Sequence, residues 1–133
     1  MYLSKLTGIQ KELVLDLCIN VSNANGTFSS EEQNYINQYA EEMNIPVRFE
    51  SSNTNGEAVK KLVEISSPSE LRGIGVELIA LLLSDNSYDD DEKEYMIKIG
   101  ESFGISEIIL DDIAEKISEL FDIYSRLNSI VFD

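Results

Sequence analysis

Ser84-Asp-Asn-Ser-Tyr-Asp-Asp-Asp-Glu92 decides the fold, because sixty residues earlier the chain reads Ala24-Asn-Gly-Thr-Phe-Ser-Ser-Glu-Glu32 and the two stretches align without a gap. The match continues to Ile45 over Ile105. Glu32/Glu92, Tyr35/Tyr95, Glu41/Glu101 and Ile45/Ile105 are identities, while Phe28/Tyr88, Ile36/Met96 and Met43/Phe103 keep their character. Upstream, Val14/Ile74, Cys18/Leu78 and Val21/Leu81 pair at core spacing under the same shift. Self-similarity at a fixed offset marks a repeated supersecondary unit, here a helix, a turn and a capped helix. Any two amphipathic helix pairs align loosely. Duplication is favoured because turn and cap coincide along with four identities in twenty-two positions.

Working outward, Thr7 with Gln10 has the form of a capping box, and Leu13, Val14, Leu17, Cys18 and Val21 follow at helical spacing, predicting a helix over about 8–22. Ser29 with Glu32 opens a second, with Tyr35, Ile36, Tyr39, Ala40 and Met43 on one face, ending before Ile45-Pro46. Residues 47–56 are polar and turn-rich and read as the most flexible loop, with a short extended piece at 47–50. A short third helix carries Val59, Leu62, Val63 and Ile65. Ser67-Pro-Ser-Glu70 starts a fourth that buries Leu71, Ile74, Leu78, Leu81 and Leu82, where Gly73 and Gly75 suggest close packing. Asp89 with Glu92 caps a fifth, bearing Tyr95, Met96, Ile99, Gly100 and Phe103 and ending at Gly104. Ser106 caps a last helix over about 106–127, with Ile109, Leu110, Ile113, Ile117, Leu120, Phe121 and Tyr124 inward. The expected fold is an all-α compact bundle of six to seven helices in a single domain, 1–133. It is built from pseudo-repeats at about 8–45 and 68–105, whose helix pairs are related by an approximate two-fold.

Composition narrows the chemistry. Ten Lys+Arg against 25 Asp+Glu give a formal charge of −15, which repels a phosphate backbone and excludes electrostatic nucleic-acid binding. The absence of His removes imidazole acid/base chemistry and most zinc and haem ligation. One Cys excludes an intrachain disulfide framework and fits a reducing, cytoplasmic location. No signal-peptide shape opens the chain, and its most apolar run, Ile74–Leu83, contains Glu77 and is far shorter than the ~20 residues of a membrane span. No membrane insertion is expected.

The doubled pattern resembles the TerB-like domain of the tellurite-resistance family. That pattern joins a hydrophobic helix to an Ala-Asp-Gly-like turn, an aromatic residue, a Ser/Asp cap, a Glu three positions later and a Gly-Ile ending. It is similar to Ala24-Asn25-Gly26-Thr27-Phe28-Ser29 through Glu32, ending Asn44-Ile45, and to Ser84-Asp85-Asn86-Ser87-Tyr88-Asp89 through Glu92, ending Gly104-Ile105. The resemblance spans about residues 7–125. It departs at Asn25, where the family usually has Asp, and at Asn86, where it usually has Gly. It implies a small helical bacterial protein, non-enzymatic, tied to tellurite or other chemical stress, working beside other proteins and carrying acidic residues that bind divalent metal.

The residues themselves leave two readings of the second turn open. Asp85, Asp89, Asp90, Asp91 and Glu92 place five carboxylates within eight residues, enough oxygen for Ca²⁺ or Mg²⁺, with Asp85 and Asp89 the first ligands and Asp91 or Glu92 completing the set. The EF-hand spacing is absent, since the sixth and twelfth positions from Asp85 are Asp90 and Met96. Equally, Asp89 as N-cap, Asp90 and Asp91 against the helix dipole, and Glu92 closing the box account for the same residues without metal. The matching place in the first repeat, Asn23, Asn25, Ser29, Glu31 and Glu32, has two carboxylates and reads as a cap. Charge divides the same way: −4 over 1–66 and −11 over 67–133. Cys18 reads as a small core hydrophobe, and Tyr35, Tyr39, Tyr95 and Phe103 as core aromatics. Three function classes follow: a cation-binding, partner-docking module; an acidic protein-interaction module with no metal; and a metal-assisted carboxylate enzyme.

Overall fold

The computed structural model describes residues 1–24, 28–84 and 88–132. Its helices are α1 (Gly8–Ser22), α2 (Ser30–Met43), α3 (Asn55–Ile65), α4 (Pro68–Leu83), α5 (Asp90–Phe103) and α6 (Glu107–Phe132), and the described residues contain no strand. Five of these helices open on a capping box: Thr7 with Gln10, Ser29 with Glu32, Thr54 with Glu57, Ser67 with Glu70, and Asp89 with Glu92. Each box satisfies two backbone N–H groups that a helix start otherwise leaves without partners. α6 starts on Ser106, whose hydroxyl accepts the Ile109 N–H at 3.3 Å.

The repeat is written into the ends of α2 and α5 as well as their starts. Glu32 and Glu92 both occupy the third helical position. At the far ends Asn44 (φ 56°) and Gly104 (φ 76°) are both left-handed, and the next residues donate back by the same bond, Ile45 N–H to the Ala40 carbonyl at 3.0 Å and Ile105 N–H to the Gly100 carbonyl at 2.8 Å. This is one C-terminal motif, with the positive φ supplied once by Gly and once by Asn, the other residue that tolerates it.

α1 and α4 are apolar over most of their circumference and form the centre. α1 packs against α2, α3 and α4, while α4 packs against α2, α5 and α6. Under the sixty-residue shift the α1–α2 and α1–α3 packings answer to α4–α5 and α4–α6, whereas the α2–α4 packing has no counterpart of like extent between α5 and α1. The core joins Leu13, Val14, Leu17 and Cys18 to Ile74, Leu78, Leu81 and Leu82, with Ile36, Met43, Met96 and Phe103 from the flanking helices. Close approach limits α5 at Gly100, where a Cβ would stand 2.8 Å from Leu110 Cδ1 and 2.9 Å from the Ile105 carbonyl oxygen. Gly100→Ala should therefore destabilise the fold by about 1–3 kcal/mol through overpacking, read as a lower urea midpoint at unchanged slope. A Cβ at Gly75 would stand 3.0 Å from Ile105 Cδ1 and one at Gly73 3.0 Å from Tyr2 Cβ, so both are closely packed as expected, Gly73 against the N-terminal segment.

Several expectations need correction. The extended piece at 47–50 is irregular backbone, because no strand lies beside it to pair with and Arg48 turns instead toward α1. The loop ends at Thr54, whose cap with Glu57 starts α3 at Asn55 inside the span read as loop. Val63 and Ile65 are exposed because α3 buries only the face of Ala58, Val59 and Leu62. Tyr95 and Ile109 are exposed too, lying at the edges of their helices' buried stripes. α6 runs to Phe132 rather than about 127, and Tyr124 is 57% exposed because the body ends before the helix does.

Candidate cation site and its surroundings

The head of α5 carries the carboxylates singled out in the sequence. Asp89 Oδ1 accepts the Glu92 N–H at 2.9 Å, and Glu92 Oε1 accepts the Asp89 N–H at 3.1 Å. Glu92 is buried at 1% exposure, while Asp89, Asp90 and Asp91 stand exposed on the first turn, where the helix dipole favours negative charge. Asp85 lies outside the described residues. Asp89 and Glu92 are thus brought together by the cap, and Asp91 stands on the exposed side of the same turn. No cluster of three or more potential metal ligands forms among the described residues. Tyr88 packs partly buried against the core, and burial, reinforced by Asp111 and Glu92, pushes its phenol up to about 12.

At the head of α2 the same geometry holds fewer acids. The Ser29 hydroxyl accepts the Glu32 N–H at 3.1 Å, the Ser29 N–H donates to Glu32 Oε1 at 3.1 Å, and Glu32 is 2% exposed. The cap reading of this turn agrees with these bonds.

The other buried ionisable groups are engaged in holding the bundle. Asp16, 1% exposed on α1, accepts from Arg48 Nη1 at 2.7 Å, the Ser52 N–H at 2.9 Å and Asn53 Nδ2 at 2.8 Å, pinning the loop read as most flexible. Arg48 also reaches the Glu12 carboxylate at 3.0 Å and the Glu50 carbonyl at 2.7 Å. Burial opposes ionisation of Asp16, but these donors outweigh it and hold its carboxyl below the usual range. Glu77, 2% exposed on α4, accepts from the Met1 ammonium at 2.9 Å, and that ammonium also meets Glu42 at 2.8 Å. Burial nevertheless holds the Glu77 carboxyl above its usual range. Tyr39 donates to the Glu77 carbonyl at 2.8 Å. Cys18 is fully buried, and burial, with the nearby Glu77 charge, pushes its thiol far above the thiolate range.

Two surface features lay beyond the sequence reading. A cleft of about 310 Å³ between α3 and α5 is lined by Asn55, Val59, Tyr95 and Lys98, and the Asn55 amide is shut from solvent with no hydrogen-bond partner. A larger groove of about 860 Å³ runs along α6 beside Tyr35 and Leu83. The signal for the second was present in the chain as apolar residues persisting to Phe132. Among the described residues no helix is long and apolar enough to cross a membrane. No protein-family model matches the chain, and no curated protein or solved structure matches it either.

Proposed function

We propose that this chain is a non-enzymatic TerB-like module of a bacterial stress or tellurite-resistance-type system, which takes up Ca²⁺ or Mg²⁺ at the α4–α5 turn and docks other proteins in the cytoplasm. The observation that carries the cation reading is the difference between the two repeated heads. Three exposed aspartates crowd the first turn of α5, with only Asp89 Oδ1 held in the cap, where α2 presents Ser29, Ser30 and Glu31. Supporting the non-enzymatic reading, the buried Asp16, Glu77 and Tyr39 are held in structural bonds, and Cys18 is sealed in the core.

A divalent ion that binds only the folded turn relieves repulsion among these carboxylates and stabilises the fold by about 2.7 kcal/mol at a hundred times its dissociation constant. Thermal melts at equal ionic strength should show Ca²⁺ or Mg²⁺ raising the midpoint above Na⁺, and Asp85→Asn combined with Asp89→Asn should abolish the difference. Asn caps as well as Asp, so the double variant keeps its helix start. Equal midpoints in all three salts, or an undiminished rise in the variant, removes the cation. The second reading, an acidic protein-interaction module with no metal, is favoured by the charge of −15 and by the α5 head closing as a cap between Asp89 and Glu92.

A further inference from the structure

α6 has 26 residues and is therefore about 39 Å long, and its apolar residues keep one spacing throughout: Leu110, Ile113, Ile117, Leu120, Tyr124, Leu127, Val131. Steps of three and four alternate without a break, which is the heptad seam of helices that pair side by side. The first half of this seam is spent within the chain, with Leu110 and Ile117 buried and Ile113 packed on the core. The second half is left open among the described residues. From Asp122 to Phe132 every residue is exposed, including Tyr124 at 57%, Leu127 at 51%, Val131 at 70% and Phe132 at 81%.

We infer that this face is covered by the same face of a second copy, the two α6 ends packing antiparallel about a two-fold axis. Charge selects the occupant. The chain carries −15, yet residues 118–132 hold only Glu119, Asp122 and Arg126, and Arg126 Nε pairs with Asp122 Oδ2 at 3.0 Å along the helix. A basic partner drawn to the acidic body finds almost nothing to pair with here, whereas two copies meet on segments of small net charge, two acids against one Arg over 118–132. Antiparallel packing also sets the acidic bodies at opposite ends of the seam, where parallel packing would set them side by side.

Area agrees. Ile123, Tyr124, Leu127, Ile130, Val131 and Phe132 are 46–81% exposed, so each copy contributes on the order of 600 Å² of apolar surface, given roughly 150–200 Å² for a bare side chain of this size. That is at the upper end of what monomers leave uncovered, and two copies bury on the order of 1,200 Å², where specific interfaces begin, when Ile123, Ile130 and Phe132 beside the seam are covered together with it. A two-fold midway between Tyr124 and Leu127 centres the pairing on the exposed half of the seam. Antiparallel pairing sets Tyr124 against Leu127 of the other copy and Leu120 against its Val131, and it brings the helix tip with Phe132 to the groove beside Tyr35 and Leu83.

This inference adds self-association to the proposed function and does not depend on the cation. Sedimentation equilibrium at about 100 μM should give a mass near 30 kDa, twice the 15.0 kDa of the chain. Leu127→Glu and Val131→Glu should each return it to 15.0 kDa with helical circular dichroism retained, since both positions are exposed in the single chain. On mild oxidation, a mixture of Tyr124→Cys and Leu127→Cys chains should form the mixed disulfide in preference to either self-disulfide. A monomer at this concentration, a dimer that survives both Glu substitutions, or dominant self-disulfides overturns the inference. A monomer whose midpoint still responds to divalent cation removes this inference alone and leaves the cation reading standing.

Discussion

Leu78→Ala should lower the unfolding free energy by about 3–4 kcal/mol, the middle of the range for large-to-small changes at sites that cannot collapse. Leu78 is 0% exposed in the middle of α4, a helix with neighbours on several sides, so the lost side chain leaves a void that few residues are free to fill. The loss combines the transfer free energy of the deleted methyl and methylene groups with the dispersion contacts their neighbours forfeit. For a chain of this length the melting midpoint should fall by on the order of 10 °C. Ile108→Ala, at 82% exposure on α6, supplies the contrast and should stay within about 0.5 kcal/mol. Comparable losses at the two positions would mean that α4 is not the centre of the bundle.

The prominence of Leu78 was legible in the chain, because it aligns with Cys18 under the sixty-residue shift and both are fully buried. Four of the five capping boxes were equally legible, because Ser, Thr or Asp followed three residues later by Glu or Gln is a local device whose bonds span a single turn; Thr54 with Glu57 has the same form but lies among the polar, turn-rich residues that read as loop. The left-handed end at Gly104 belongs to the same class, whereas at Asn44 the chain marks only that α2 stops before Ile45-Pro46. What escaped was set by the distance between elements. Tyr95 shares the spacing of its helix's buried stripe, yet its exposure depends on where α3 stops covering α5, and nothing in α5 records that. Tyr124 continues an unbroken apolar spacing, and only the length of the body decides that its side chain is left outside. The cation site divides in the same manner. The cap formed by Asp89 and Glu92 could be read from the chain, whereas a ligand set requires the placement of Asp85, which lies outside the described residues.

The contacts of the 44–54 segment were hidden from the sequence for this same reason, since Asp16 and Arg48 lie thirty-two residues apart and neither belongs to a local motif. Arg48→Met keeps the aliphatic stem and removes the charge, leaving Asp16 buried with only the Ser52 N–H and the Asn53 amide as donors. Removing one partner of a buried pair costs about 3–5 kcal/mol. Arg48 is itself partly exposed and the two remaining donors soften the loss, so about 2–3 kcal/mol is expected at neutral pH. The pH dependence carries the sign. Asp16, with a folded-state pKa held below its unfolded value of about 3.9, contributes stability that is present above that value and lost as pH falls through the folded one. Glu42, lowered by the Met1 ammonium and backbone donors against the opposing effect of burial, behaves alike. Glu77 runs the other way: burial raises it, so its contribution is full below about 4.3 and is lost as pH rises through its folded value. Urea titrations of the natural chain should therefore show stability growing from neutral pH toward about 4.5, helped by relief of the −15 charge, and falling below about 4. Glu77→Gln should shrink the upper limb to the part that charge relief supplies and leave the lower limb in place. A protonated Asp16 needs no cation, so the deficit of Arg48→Met should shrink as pH drops through the lower limb. A deficit that stays constant across that limb would mean that Arg48 acts through its stem and its contacts with Glu12 and Glu50, and not through the buried charge of Asp16.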